Sequence, residues 1–276
     1  MAFTLATWNI NSVRLRESIV SRLMSEEMPD ILCLQECKCL AEQIPTEAFE
    51  KLGYRYRVAR GQKSYNGVAI LSKLPMVDAG GRDFATLGHA RHVAGQLENG
   101  VTIHNFYVPA GGDIPDREEN VKFGQKLDFL TEMRDHFRWE TPDRAILVGD
   151  LNIAPREDDV WNHKGLLKIV SHTPAETDLL GEAQEAGGWV DMRRELPGRW
   201  ILYMGRFTER EALQRKVEEL QRLKLPFSEV NVSSFDDPYQ VTRVLKALLD
   251  APVAVGAAPQ QGWVERVMRT PLLELK

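Results

Sequence analysis

Three short stretches put oxygen-bearing side chains where apolar runs end. WNIN carries Asn9, LQE closes on Glu36, and VGDLN carries Asp150 and Asn152. On an extended strand Asp150 and Asn152 share a face, because side chains alternate with period two. Carboxylates and amides are hard oxygen ligands, suited to Mg2+ or Mn2+. In phosphate chemistry Mg2+ is held by one or two carboxylates and keeps several waters. This set therefore points to phosphoryl chemistry and away from zinc hydrolysis. Each stretch alone also has a plain structural reading. Asp-x-Asn after a strand makes a turn closed by its own side chain, Asn9 suits the cap of a helix beginning around Ser12, and Glu36 suits a solvated strand rim. The combination carries the weight.

Such groups converge only if the strands that end on them lie side by side. FTLATWN, DILCLQE, YRYRVA, GVAILS, VTIHNFY and AILVGDLN read as strands. Between the last two, Phe123, Leu127, Leu130, Met133 and Phe137 form a helical stripe, with Pro115 and Asp116 as its predicted start. A second helix is predicted over TDLLGEAQEAG, closing on Gly187 and Gly188. Strands with helices packed outside define residues 1–197 as one domain. After Pro197 and Gly198 the texture changes. WILYMGRF reads as a strand, and Thr208 with Glu211 makes a capping box before a helix faced by Leu213, Val217 and Leu220 and stopped by Pro226. FSEVNV reads as a strand and DPYQVTRVLKALLD as a further helix. Residues 198–276 are thus expected to form a small α/β module, with 251–276 given no element.

The totals exclude little and fit an ordinary globular chain: 276 residues, 43% hydrophobic, 27% charged, net charge −5. Residues 198–276 hold 12 Lys+Arg against 10 Asp+Glu, which leaves −7 on residues 1–197. The acidic balance argues against indiscriminate nucleic-acid coating, although a local basic rim can still track a phosphate backbone. Arg14, Arg16, Lys38, Arg57, Arg60 and Lys63 are candidates for that rim, or simply a solvated face. Cys33, Cys37 and Cys39 are odd in number and spaced for neither a disulfide framework nor a metal knuckle, so reduced thiols are expected. No apolar run is long enough to span a membrane, and MAFTLATWNINSVR lacks the pattern of a signal peptide. A cytoplasmic monomer without membrane contact is the expectation.

TWNINSVRLR, PDILCLQECK, YNGVAILSK, FYVPAGG, KLDFL, AILVGDLNIAP and GGWVDMRREL occur in the order and at roughly the spacing of one known family. Over residues 3–197 the chain resembles the exonuclease III family of apurinic/apyrimidinic endonucleases, within the endonuclease/exonuclease/phosphatase superfamily. The resemblance implies an α+β fold, a four-layer α/β sandwich of two packed mixed β-sheets flanked by helices. It implies a Mg2+- or Mn2+-dependent DNA phosphodiesterase of base-excision repair, acting on double-stranded DNA with abasic sites or 3′ ends. By the same resemblance Glu36 and Asn9 fall on the metal site, Glu36 as the direct carboxylate ligand. Tyr107 matches the tyrosine that contacts the scissile phosphate. Asp150 and Asn152 match the pair that positions the attacking water and steadies the transition state.

The resemblance stops near residue 197. The family ends with a tryptophan-rich strand, an Arg-x-Asp segment and a terminal Ser-Asp-His, whereas this chain continues with WILYMGRF and has no histidine after His172. The sandwich is accordingly expected to be incomplete in its C-terminal part, with a histidine such as His163 or His172 as a candidate for a relocated one. WILYMGRFTEREALQRKVEELQRLKLPFSEV faintly resembles half of a sporulation-related repeat. Two rival readings follow: a catalytically impaired nuclease-like binding module, and a superfamily phosphatase acting on a small phosphate ester. GGWVDMRREL favours the nuclease branch over the phosphatase.

Overall fold

The computed structural model describes residues 3–191 and the backbone of four later strands, at 200–207, 227–233, 241–249 and 267–269. The chain divides into two compact units, Met1–Val190 with Ala254–Gly256 and Leu272–Lys276, and Asp191–Val253 with Ala257–Pro271.

In the first unit, strands β1 (Leu5–Asn9), β2 (Ile31–Gln35), β3 (Tyr56–Arg60) and β4 (Val68–Ser72) lie in the order β1-β2-β4-β3. The β1–β2 pair is parallel and the other two are antiparallel. Strands β5 (Met76–Gly80), β6 (His92–Leu97), β7 (Thr102–Tyr107) and β8 (Ala145–Asp150) form a second sheet in that order, antiparallel except for the parallel β7–β8 pair. The fold is α+β, two mixed sheets flanked by helices. Their inner faces meet in one apolar layer: Leu5, Ile31, Cys33, Val58 and Ile70 from one sheet, Met76, Val93, Ile103, Tyr107 and Val148 from the other. Alternation sends Phe106 and Leu147 to the outside of the second sheet. There they pack with Phe129, Leu130, Met133 and Phe137 of α3 (Val121–Trp139) and with Leu179 and Leu180 of α5 (Pro174–Gly187). Each large apolar side chain so buried contributes on the order of 2 kcal/mol.

One polar contact crosses the inner layer. Gln35 Nε2 donates to Asn105 Oδ1 at 2.6 Å and to Thr7 Oγ1 at 2.9 Å, and Asn105 Nδ2 donates to the carbonyls of Leu34 and Ala69. Gln35 and Asn105 are both fully buried. Buried amides are tolerated when their hydrogen bonds are made, and here they are made between the sheets.

Several sequence expectations shift. Helix α3 starts at Val121, capped by Asn120, whose side chain accepts from Lys122 N–H; Pro115 and Asp116 lie in the preceding turn, where Asp116 accepts from Glu118 and Glu119 N–H. Helix α5 starts at Pro174, three residues before the predicted stretch, behind a Thr173–Glu176 capping box, and closes on left-handed Gly188. The first helix, α1 (Glu17–Glu26), begins well beyond Ser12, so Asn9 is not its cap; the short helices α2 (Thr46–Glu50) and α4 (His163–Leu166) had no sequence expectation. Strands β5 and β6 had no strong sequence signal. The former is mostly exposed, and the latter carries Gly95, where a Cβ would meet Met76 Sδ at 2.5 Å.

In the second unit, β9 (Trp200–Phe207) and β10 (Phe227–Ser233) fall on the two predicted strands. The segment DPYQVTRVLKALLD does not form the predicted helix: Val241–Leu249 is strand β11, hydrogen-bonded to β10 on one side and β9 on the other. Its apolar residues satisfy a helical spacing, but two strand partners override local periodicity. A fourth strand, β12 (Val267–Arg269), pairs with β9. The helix predicted from Thr208 to Pro226 lies outside the described residues.

Candidate active site

The inner faces become polar where the strands end. Asn9 follows Leu5 and Thr7 on the inner face of β1, and Asp150 follows Ile146 and Val148 on that of β8. Tyr107 ends β7 directly opposite Asp150 in the parallel register. Glu36 is the first residue past β2 and adopts φ +54°, which turns its side chain out of the strand alternation. Four chain segments far apart in sequence thus deliver their polar ends to one place.

Asn9 Nδ2 donates to Glu36 Oε1 at 2.9 Å and to Asp150 Oδ2 at 2.7 Å. Tyr107 OH donates to the same Glu36 Oε1 at 2.9 Å, and Lys38 Nζ pairs with Glu36 Oε2 at 2.8 Å. Burial raises the Glu36 pKa, but the bonds from Lys38, Asn9 and Tyr107 outweigh it and hold the carboxyl below its ordinary value. Burial and the adjacent Glu36 push the Tyr107 hydroxyl up, so it stays a donor. Asn152 is brought to the edge of the group and not into it. Strand β8 ends at Asp150, so face-sharing by alternation does not reach residue 152, which takes φ +51°. Its N–H donates to Asp150 Oδ1 at 3.1 Å, the turn anticipated as the structural alternative, and its Nδ2 donates to Val108 O at 2.9 Å.

Gly149 makes this turn possible. At φ +141°, a Cβ there would lie 1.9 Å from the Phe106 carbonyl oxygen. The GD pair is therefore a close approach of backbones, with the acid placed immediately after it.

Two cations escaped the sequence reading. The Arg91 guanidinium lies 4.6 Å from the Tyr107 ring centroid and donates to Tyr107 O at 3.2 Å. Burial lowers its pKa, while Tyr107, Glu36 and Asp150 counter this. Lys126 of α3 is fully buried against Glu176. Burial depresses its pKa, opposed by Glu176 and Asp150. Arg91 has no sequence signal. Lys126 has one, since it stands three residues after Phe123 and four before Leu130 on the buried face of the helix.

The other candidates lie elsewhere. His163 Nδ1 and His172 Nε2 are 2.9 Å apart, and His172 Nδ1 is bonded to Ala154 O. They engage each other and the backbone. His104 stacks on His92 on the outer face of the second sheet, against Phe137 and Trp189. Cys33, Cys37 and Cys39 are free and buried, and burial raises each thiol pKa. Arg60 pairs with Asp78.

Two mixed sheets carrying these strand ends match a known class. Residues 6–202 fit the Endonuclease/Exonuclease/phosphatase family, and the chain belongs to it. Within it, the chain is similar to exodeoxyribonuclease III of Haemophilus influenzae, 31% identical over 163 residues covering 56% of this chain and 59% of that one. It is also similar to DNA repair nuclease APEX1 of Danio rerio, 26% identical over 204 residues covering 70% and 62%. The chain thus spans about 60% of the length of these relatives. Among solved structures, an AP endonuclease from Archaeoglobus fulgidus superposes with a TM-score of 0.64 at 25% identity, covering 89% of this chain and 99% of that one.

Proposed function

We propose that the protein is a divalent-metal-dependent DNA phosphodiesterase of the exonuclease III type, an abasic-site endonuclease and 3′–5′ exodeoxyribonuclease serving base-excision repair. One observation carries the reading: a single amide, Asn9, joins Glu36 to Asp150 with Tyr107 on the same carboxylate oxygen. A purely structural descendant of the family has no need to collect two carboxylates at one buried-to-solvent edge. Bonds from Lys38, Asn9 and Tyr107 offset the desolvation of Glu36, and a cation shared by the two carboxylates would offset their repulsion.

The donor set fits Mg2+ or Mn2+. Among the described residues no group of three or more His, Cys, Asp or Glu is placed to hold a metal ion, so an ion at this edge would rest on Glu36, Asp150 and the amide. Few protein ligands, all of them oxygens, suit an ion that retains waters. Glu36 would hold it, joined by Asn9 through its Oδ1, which here accepts from Asn11 N–H while Nδ2 faces the carboxylates, and when bound it supplies charge neutralisation at the phosphoryl oxygens. In this reading Tyr107 donates its hydroxyl to a phosphate oxygen in place of Glu36, and Arg91 beneath the ring adds positive charge at the same edge. Asp150 accepts a proton of the attacking water and orients it, while Asn152 fixes the turn that aims Asp150.

The test is cleavage of a duplex carrying one abasic analogue, with Mg2+ and with EDTA, beside a Glu36→Ala control. Metal-dependent nicking of the abasic strand by the wild type, lost in the variant, is expected. Wild-type nicking no greater than that of the control overturns the proposal, and duplex binding without cleavage would establish the binding-module reading instead.

A further inference from the structure

Lys126 and Glu176 form a buried ion pair, Nζ to Oε1 2.5 Å, with both side chains fully excluded from water. Two buried charges are costly to desolvate, and such pairs are commonly replaced by apolar residues without loss of stability. Stability alone therefore does not account for the pair, but its remaining bonds do. Lys126 Nζ lies 2.8 Å from Asn152 O, 3.3 Å from Ala110 O and 3.4 Å from Ser171 Oγ. Those acceptors sit on three separate connections: the loop after Tyr107, the loop after Asp150, and the turn into α5. An ammonium carries three donors on one atom; shared among Glu176, two backbone carbonyls and one hydroxyl, they draw the three connections to a common point.

Both loops are shaped around this lysine. Gly111, at φ +91°, lies so close that a Cβ would be 2.9 Å from Lys126 Cδ. Asn152 Nδ2 ties the same two loops by donating to Val108 O. Glu176 completes the arrangement from the far side, accepting from Ser171 N–H, Thr173 N–H and Thr173 Oγ–H.

We infer that Lys126, seated on Glu176, is a positioning residue that fixes the loops after β7 and β8 relative to each other and thereby aims Asp150 at the phosphate edge marked by Tyr107. The inference rests on the nuclease reading for its catalytic consequence, but the positioning itself is measurable without activity. Lys126→Met alone leaves the Glu176 carboxylate buried and unpaired, so the informative variant is the double replacement Lys126→Met/Glu176→Gln, which keeps the α5 cap and removes both charges.

Two measurements decide the matter. Hydrogen exchange follows the amides of Val108, Asn152 and Ala154, each bonded in the structure, against Val20 of α1 as control. Steady-state cleavage of the abasic duplex gives kcat and KM. Exchange at least tenfold faster at the three loop amides and unchanged at Val20, with kcat down at least thirtyfold and KM within threefold, is expected. Unchanged loop exchange overturns the inference, and so does loosened exchange with wild-type kcat. Loss of a cooperative melting transition in the double variant also overturns it, because the pair would then be a folding element. If the wild type itself nicks nothing, the nuclease reading falls, and exchange alone still decides whether Lys126 sets the loops.

Discussion

Asn9 and Asp150 are 141 residues apart in the chain, yet Asn9 Nδ2 donates to Asp150 Oδ2 at 2.7 Å while also holding Glu36. The amide separates two carboxylates that would otherwise face each other. Replacing it by a third acid, Asn9→Asp, deletes the shared donor and adds a like charge. The melting temperature in EDTA is expected to fall by several degrees, at about 2–4 °C per kcal/mol. Millimolar Mg2+ should restore more of that loss than it adds to the wild type. Equal Mg2+ effects on both proteins would show that the acids do not share a cation.

Tyr107→Phe removes one hydroxyl whose bond to Glu36 is 2.9 Å. The ring, its packing in the inner layer and its contact with Arg91 all remain. The stability change is expected to stay near 1 kcal/mol, the usual size of one hydrogen bond. Cleavage should fall by about 100–1000-fold if the hydroxyl serves the phosphate. Urea melts and initial rates on the same preparation separate the two effects.

Gly149→Ala puts a methyl 1.9 Å from a backbone oxygen at a φ that L-residues avoid. The β7–β8 pairing must open to admit it, at a cost of about 3 kcal/mol or more. Reduced soluble yield and a lowered urea midpoint are the expected outcomes. A variant as stable as the wild type would mean that β8 ends differently.

Acid should weaken the fold through two histidines away from the site. Arg82 N–H donates to His92 Nδ1, which places the His92 proton on Nε2, facing His104 Nδ1 at 3.2 Å. Burial, with His104, His136, Arg60 and Arg82 nearby, lowers the His92 pKa well below its ordinary value, and burial takes His104 to about 4. The unfolded chain therefore binds protons first. Stability is full above about pH 6.5 and declines as pH falls toward 4, by about 1.4 kcal/mol for each unit of pKa difference. Urea midpoints from pH 7 to 4.5 measure the slope, and His104→Phe should flatten it.

The site was legible where chemistry interrupts a pattern. Asn9, Glu36 and Asp150 stand out because a polar residue closes an apolar strand; the two-sheet layer that joins them followed from the family resemblance, since β5 and β6 carry no strong pattern of their own. Arg91 was not legible, since its meaning comes from a ring contributed by another strand. Strand β11 was misread because its spacing satisfies a helix and its partners lie outside the segment. The position of Asn152 was misread for a local reason. Alternation holds only while the strand lasts, and the turn that follows Asp150 uses Asn152 as its clasp.

The contact between Gln35 and Asn105 has a further meaning for how these ends come to meet. Each amide points inward only in the native alignment of its strand, Gln35 in β2 and Asn105 in β7. A slip of one residue in either would turn that amide to the opposite face and break the bond between the sheets, leaving Gln35 only its contact with Thr7 or Asn105 only its contacts with backbone carbonyls, among Ile103, Cys33 and Val68. The pair works as a keyed joint: it rejects the near-miss alignments that an all-apolar interface would accept, and only in the alignment it admits does Glu36 emerge beside Asn9.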